Sequence, residues 1–275
     1  MLVIRFLKYL KKHFGNFIKN GNIIDIFKYL AVIFFLIWLI SRGTERLGYN
    51  WQWYQVPKYL FQFKNGKLSF GPLMSGLMVT FIITAWGLVL SMAIGLLTAL
   101  LRLSESFFAR MIARIYLEVI RNTPLLVQIF FLYFVLAPIF GFSRFAAGVI
   151  ALSLFEGAYA SEIFRAGIVS IQKGQWEASY SLGLSTFDTY RHVILPQAVR
   201  RILPPLTSQA ISLIKDSALV STIAIYDLTM EGRAIIAETF LSFEIWFTIA
   251  FMYLIVTVAL SILVNYLEDR FRIMT

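Results

Sequence analysis

Six runs of apolar residues alternate with polar and charged stretches along the chain. Each run approaches or exceeds the roughly 20 residues that a helix needs to cross the hydrocarbon core of a bilayer. The pattern predicts an all-α integral membrane protein with six transmembrane helices. The first is expected to be an uncleaved signal anchor, because no small-residue cleavage site follows it. The runs are Ile23–Ser41, Leu73–Leu101, approximately Ile115–Ile139, Phe145–Phe164, Leu206–Ile225 and Ile245–Leu267.

Two polar stretches lie on either side of the first run. Residues 1–22 carry bulky apolar residues at helical spacing, with lysines between them. This pattern is typical of a basic amphipathic segment on an anionic membrane surface, and a solvated positive tail explains it equally well. Residues 42–72 are rich in tyrosine, tryptophan and phenylalanine. Such rings favour the headgroup zone, so we expect this loop to lie along the outer interface.

The composition agrees with a membrane protein and argues against soluble domains, nucleic-acid binding and certain metal sites. The chain is 59% hydrophobic and only 15% charged, which is outside the range of ordinary soluble domains. Its net charge of +10 comes mainly from basic residues near the ends of the apolar runs, which argues against nucleic acid as a partner. With no cysteine and only two histidines, we predict no thiolate or histidine-rich metal site.

The distribution of lysine and arginine predicts the orientation. Six crossings place both termini on one side of the bilayer. The stretches on that side carry 16 lysines and arginines, against 7 on the opposite side. Because cytoplasmic loops hold an excess of positive charge, we expect both termini, and the long polar loop before the fifth run, to lie in the cytoplasm.

This polar loop, residues 174–205, has the most ordered pattern of any polar segment in the chain. A helical turn starts near Glu177 and reaches Leu182. Gly183 follows, and a glycine ends a helix readily because it adopts positive φ without steric cost.

A second short helix is predicted directly after this glycine. Ser185 and Asp188 have the spacing of a capping box that starts a helix over Thr186–Val193. Pro196 is expected to stop this helix, because proline lacks the amide hydrogen that a helix interior requires. The sequence therefore predicts that the loop forms two short helices joined by a hinge and held rigidly beside the membrane.

The sequence lacks the motifs of hydrolytic enzymes. It contains no phosphate-binding loop, no zinc-protease motif and no nucleophile elbow. We therefore predict that the chain is not an enzyme. If ATP drives its activity, another chain supplies the ATPase.

The polar loop matches the cytoplasmic signature of binding-protein-dependent ABC importer permeases: E-A-A, three residues, G, nine residues, I, one residue, L-P. Ser179 replaces the second alanine and Val193 replaces the isoleucine. Further stretches from Leu73 to the C-terminus resemble the permeases for polar amino acids within that class, of the histidine, glutamine and arginine type. The residues that match the signature are Glu177, Ala178, Gly183, Leu195 and Pro196.

The resemblance implies a fold and a function. Residues 73–275 would form a type I ABC importer permease core of five helices, including the coupling loop 174–205. Residues 1–72 would add one N-terminal helix and its flanking segments, whose role the resemblance does not assign. The implied function is ATP-driven import of a polar amino acid.

The resemblance also implies partners. In this family the loop forms a coupling helix that docks in a cleft of a separate ATPase subunit. That subunit binds ATP and Mg²⁺, so the permease itself carries no cofactor. Two permease chains, identical or different, pair around a central pathway in the cytoplasmic (inner) membrane. An external solute-binding protein feeds this pathway.

Glu156 is the sharpest candidate for the substrate pathway, because a charge inside a membrane helix is costly unless it faces protein or water. It lies near mid-membrane, roughly 13 Å from Arg165 at helical rise. Its carboxylate is expected to hold a substrate ammonium or a cationic side chain. Protonation, or a pair with Lys215 that serves packing alone, is the alternative. A secondary transporter or channel that uses Glu156 and Lys215 for ion coupling is the alternative function, although no inverted repeat is evident.

Further pathway candidates lie on the third and fifth runs. Arg121 begins the segment Arg121–Pro124, which we expect to break the third helix inside the membrane. Free carbonyls at such a break cannot face lipid, so Gln128, one turn beyond, is expected to line the pathway. Lys215 and Asp216 are adjacent and point in different directions on a helix. One would face the partner subunit and the other the pathway, and mutual neutralisation through neighbouring groups is the equal alternative.

Two acid and arginine pairs have the i, i+3 spacing of helix neighbours. Neighbours at this spacing form ordinary ion pairs on a helix surface. We therefore predict a structural role for both pairs, which are Glu118 with Arg121 and Glu162 with Arg165.

Overall fold

A computed structural model describes residues 23–64 and 66–271. The chain has two units, Met1–Trp51 and Gln52–Thr275. The amphipathic segment predicted over residues 1–22 lies outside the described residues.

The first unit contains one described helix, α1 (Ile23–Leu47). Near its end the guanidinium of Arg42 stacks over the ring of Trp38, 5.3 Å from the ring centroid. The predicted first run is therefore helical. Among its described side chains, Ile26–Phe35 form an apolar helical stretch.

The second unit opens with short elements where an irregular aromatic loop was predicted. A 3₁₀ turn and a one-turn helix lead into an antiparallel hairpin, in which Phe61 lies opposite Phe70. Within residues 23–64 and 66–271, this hairpin is the only β-structure, and the other regular elements are helical. The backbone N–H of Gln52 donates to Glu244 Oε1 at 2.6 Å, which ties the start of this unit to its last helix. The elements are the 3₁₀ turn Trp53–Gln55, α2 (Pro57–Leu60), β1 (Phe61–Lys64) and β2 (Lys67–Phe70).

Helices form the rest of the second unit. Other helical forms join two pairs of these helices and extend one helix beyond its end. Two π-helical segments and one 3₁₀ segment continue α-helices without a loop. The α-helices are α3 (Pro72–Leu103), α4 (Phe107–Arg121), α5 (Leu125–Phe130), α6 (Ala137–Phe140), α7 (Arg144–Val169), α8 (Lys173–Ser181), α9 (Thr186–Thr189), α10 (Leu195–Asp216), α11 (Leu228–Thr239) and α12 (Ser242–Phe271). The π segments are Phe131–Leu136 and Tyr190–Ile194, and the 3₁₀ segment is Ser217–Ile223.

The described helices do not confirm six membrane spans. The second, fourth and sixth predicted runs are helices long and apolar enough to cross a bilayer. The third is a pair, Phe107–Arg121 and Leu125–Phe140, bent by 105° at the predicted break. The fifth is not one continuous span, because α10 ends at Asp216 and the chain continues as a 3₁₀ segment. Three spans, or four if the bent pair counts as one, are thus found among the described residues.

The core of the second unit lies where α3 packs against α7. A Cβ added at Gly95 would lie 2.7 Å from the Cβ of Ala160, so only glycine permits this close approach of the two helices. Ile83, Leu152 and Leu213 are fully or almost fully buried in the largest apolar cluster. This cluster fixes α7, which carries Glu156, against α3 and against α10, which carries four further candidate residues.

Candidate functional site

The first helix of the polar loop ends in a Schellman motif. Gly183 has φ +77°. Its N–H donates to Tyr180 O at 2.9 Å, and the N–H of Leu184 donates to Ser179 O at 3.2 Å. These two bonds satisfy carbonyls that the helix end would leave free. The predicted role of Gly183 as the residue that ends this helix is therefore confirmed.

The second helix starts as predicted but does not stop at Pro196. Ser185 Oγ accepts the Asp188 N–H at 3.1 Å and donates to Asp188 Oδ2 at 2.6 Å, so the serine caps α9. The chain then passes through the π segment Tyr190–Ile194 into α10. Pro196 lies in the first turn of α10. Proline is tolerated where the amide hydrogen has no partner to lose, so the prediction that it stops the helix was wrong.

The loop is anchored to the membrane helices on one side. Trp176 and Tyr190 meet edge to face at 5.0 Å between ring centroids. Both rings pack on a buried apolar cluster that contains Ile168, Ile194 and Ala198. Two aromatic residues therefore hold the two loop helices against the ends of α7 and α10.

Most signature residues of the loop are exposed. Glu177, Ala178, Leu195 and Pro196 are all exposed, while Ser179, which replaces the second alanine, is buried. Glu177 Oε1 lies 3.5 Å from Lys173 Nζ on the surface. Near Gly183 in the sequence, three large apolar side chains are exposed, namely Tyr180, Leu182 (80% exposed) and Phe187 (69% exposed).

Glu156 is the most deeply buried ionisable group of α7, only 1% exposed. Its Oε2 accepts a hydrogen bond from Gln209 Nε2 of α10. Its Oε1 receives no hydrogen bond from the residues that the structure describes. The carboxyl group of Asp216 lies near the same group.

Gln209 was missed by sequence reasoning, although the signal was present. Gln209 and Asp216 are spaced i, i+7, which places them on one helix face two turns apart, and that face meets Glu156. Lys215 is exposed and points elsewhere, as its adjacency to Asp216 predicted. No ion pair between Glu156 and Lys215 occurs among the described residues, so the packing pair considered above is not found.

Glu162 gathers three arginines near the end of α7. Its Oε1 accepts from Arg102 at 2.6 Å and from Arg121 at 3.3 Å, and its Oε2 lies 3.3 Å from Arg165. The predicted i, i+3 pair with Arg165 is confirmed. Arg121 joins this cluster.

The predicted pair of Glu118 with Arg121 is wrong. Glu118 instead accepts a hydrogen bond from Asn122 Nδ2 at 2.9 Å. Arg121 reaches a carboxylate on another helix, where it also lies over the ring of Tyr159. A tertiary contact therefore prevails over helix-neighbour spacing.

The break between α4 and α5 is closed by Gln128. Its Nε2 donates to Ile120 O at 2.8 Å, to Thr123 O at 3.0 Å and to Thr123 Oγ1 at 2.8 Å. These bonds satisfy the carbonyls that the predicted break leaves free. The break is confirmed, and Gln128 stabilises it. Exposure of Gln128 to a pathway stays a prediction.

A second buried carboxylate, Asp227, lies outside the spanning helices. It is fully buried, and its Oδ1 accepts the N–H of Met230 at 2.8 Å, which caps α11. Burial raises the pKa of Asp227 to about 6, and hydrogen bonds from the backbone oppose this shift. No group of three or more potential metal ligands occurs among the described residues.

Comparison with known sequences gives consistent relatives. The family model for binding-protein-dependent transport system inner membrane components matches residues 91–273. The glutamine transport system permease protein GlnP of Escherichia coli K12 is 42% identical over 74% of this chain and 94% of its own length. The L-cystine transport system permease protein TcyB of Bacillus subtilis 168 is 41% identical over 74% of this chain and 88% of its own length.

Comparison with solved structures gives the same family. The crystal structure of an amino acid ABC transporter with histidines superposes with a TM-score of 0.69 at 39% identity, over 72% of this chain and 94% of that one. An inward-facing structure of the MetNI methionine ABC transporter gives a TM-score of 0.60 at 18% identity, over 73% of this chain and 94% of that one. The second similarity concerns the fold alone.

Proposed function

The chain belongs to the family of binding-protein-dependent transport system inner membrane components, and we propose that it is the membrane-spanning permease subunit of an ATP-driven ABC importer for a polar amino acid. Relatives named for glutamine and for cystine transport support the substrate class. The buried carboxyl group of Glu156 supports a pathway through this chain.

The coupling function is proposed for the loop 174–205. The observation that carries it is the exposure of three apolar side chains, Tyr180, Leu182 and Phe187, on a loop that Trp176 and Tyr190 anchor. A rigid loop with apolar side chains exposed suits docking into a cleft of another protein. In this proposal the ATPase subunit is that partner. It binds ATP and Mg²⁺, and its closure moves the loop as one body.

The pathway function is proposed for the face of α10 that meets Glu156. Glu156 and Asp216 supply negative charge and Gln209 supplies an amide, which together suit the ammonium group or a cationic side chain of an amino acid. Lys215 is proposed to face away from this group. Gln128 and Arg121 stay pathway candidates, although the structure gives both of them contacts at the break and with Glu162.

The remaining partners follow from the same proposal. A second permease chain, identical or different, would pair with this one around the pathway. An external solute-binding protein would deliver the amino acid on the opposite side from the ATPase. Both termini and the loop 174–205 would lie in the cytoplasm, as the excess of lysine and arginine on that side supports.

The test is association with the ATPase. We expect the double variant Leu182→Ala with Phe187→Ala to lose affinity for the cognate ATPase subunit by roughly tenfold or more, because each deletes an exposed apolar anchor. Phe63→Ala is the matched control, since Phe63 is 82% exposed on the hairpin, far from the loop in sequence. Affinity would be measured by co-purification and by light-scattering titration of the full chain.

Reconstituted vesicles decide between this function and its alternative. We expect uptake of the amino acid to require the ATPase, ATP and the binding protein together. Uptake at an unchanged rate in vesicles that contain this chain without an ATPase would identify a secondary transporter or channel and end the importer proposal.

A further inference from the structure

Helix α4 has buried and charged positions on one side and an apolar stripe on the other. At 100° per residue, Ala113 and Leu117 fall on one face and are buried against the rest of the unit. The exposed arginines Arg110 and Arg114 border this buried face. The apolar stripe is exposed and lies about 150° around the helix from the arginines. The apolar stripe consists of Phe108 (70% exposed), Ile112 (59%), Ile115 (56%) and Val119 (55%).

The direction of α4 distinguishes it from the spanning helices. It meets the helical segment Leu125–Phe140 at 105°. That segment is apolar and about 24 Å long at helical rise, close to the thickness that a short span needs. If Leu125–Phe140 runs across the bilayer, α4 lies close to the plane of its surface. A helix in that plane places its apolar stripe among acyl chains and its arginines among headgroups.

A pocket at the elbow continues the apolar stripe. It has a volume of about 360 Å³ and shares Val119 with the stripe. Seven of its nine lining residues are apolar. Its polar members are Thr123 and Gln128, whose donor groups are already bonded to the break. Such a lining favours an acyl chain over a zwitterionic amino acid.

We propose that α4 lies in the plane of the cytoplasmic leaflet and binds anionic phospholipid. Lipid phosphates lie at Arg110 and Arg114, and acyl chains pack along the apolar stripe on the other side of the helix, toward the elbow pocket. Arg110 already donates through Nη1 to Ser104 O at 2.9 Å and to Glu105 O at 2.7 Å. Its other guanidinium donors stay available to phosphate oxygens. This surface goes beyond the transport proposal, because it does not depend on which solute the chain carries.

Lipid selectivity is the first test. Native mass spectrometry of the purified full chain would compare binding of phosphatidylglycerol and of phosphatidylcholine. Since an arginine near an anionic surface is worth about fivefold in binding, we expect Arg110→Gln with Arg114→Gln to lower phosphatidylglycerol binding by roughly 25-fold. Lys67→Gln, which removes an exposed charge from the hairpin, should leave it unchanged. Equal selectivity in all three proteins would overturn the proposal.

Helix depth is the second test, and the absence of native cysteine makes it direct. Nitroxide labels at single cysteines replacing Phe108 or Val119 are separated by about 16 Å along the helix axis. In vesicles of phosphatidylcholine with about a quarter phosphatidylglycerol, both labels should report one shallow depth. A depth difference near 16 Å would mean that α4 stands upright. Low collision with oxygen at both labels would mean that a second copy of the chain covers the stripe. Either result contradicts the lipid surface.

Discussion

The loop 174–205 and the site around Glu156 are built in opposite ways. In the loop, buried groups fix the shape and exposed side chains remain for a partner. In the site, the candidate group itself is buried, and one of its oxygens receives no hydrogen bond from the described residues. In the proposed function, the loop acts through a fixed conformation that presents its exposed side chains to the ATPase. In the proposed function, the site acts through the negative charge that Glu156 and Asp216 supply.

Gly183 gives the largest expected effect, because it tests whether the loop acts through its conformation. Its φ of +77° strains a β-branched residue by about 1 to 2 kcal/mol, although a Cβ would meet no atom within 4 Å. We expect Gly183→Val to abolish ATP-driven uptake in proteoliposomes while the chain still assembles. Gly174→Ala is the matched control, since Gly174 is equally open and has no positive φ. Equal uptake by both variants would refute a conformational role.

Substitution of Glu156 is expected to have the next largest effect on uptake, because it tests whether the site depends on the charge of this residue. Glutamine has the same shape and keeps an acceptor for Gln209, so we expect Glu156→Gln to fold normally and to lower uptake by roughly tenfold. Asp227→Asn is the control for burial alone, because Asp227 is equally buried but caps a helix. Its uptake should be normal. Unchanged uptake by Glu156→Gln would reject substrate contact.

Substitution of Asp227 is expected to have the smallest effect, a change in the stability of the folded chain. Its pKa in the folded chain, about 6, lies above the usual value for aspartate. Folding thus favours the protonated form, and this contribution is present at low pH and is lost as pH rises through about 6. An asparagine side chain at this position would still cap α11. We therefore expect the melting temperature of Asp227→Asn to exceed that of the wild type by a few degrees above pH 6.

Melting temperatures measured at several pH values can also contradict this prediction for Asp227. The advantage of Asp227→Asn should disappear near pH 4, where the wild-type side chain is protonated as well. Fluorescence-detected melting across this range measures both ends. A constant difference between the two proteins at all pH values would show that Asp227 stays in one protonation state.

Local features of the fold were predictable from the sequence. The turn at Gly183, the serine cap at Ser185 and the break before Pro124 each depend on residues within a few positions of one another. Residues close together in the sequence determine the backbone conformation at each of these features. Burial of Glu156 was predictable for the same reason, since the apolar run around it leaves a charge no exposed position.

Contacts between helices were not predictable from one sequence. Arg121 reaches Glu162, which is 41 positions away, instead of its helix neighbour Glu118. Gln209 reaches Glu156 across 53 positions. Periodicity gives the face of each helix but not which faces meet. The six spans are not confirmed for a related reason, because hydropathy does not separate a straight apolar helix from one that bends or changes form.

Because of the π segment before Pro196, the number of residues in the loop signature determines how the loop is rotated about the axis of α10. A π turn holds one residue more than an α turn, so Tyr190–Ile194 offsets everything before it by about 100° around the axis of α10. Loss of one residue there would leave each side chain intact but rotate Leu182 and Phe187 to another side of the molecule. The number of residues between Gly183 and Pro196 thus sets the direction in which the loop faces.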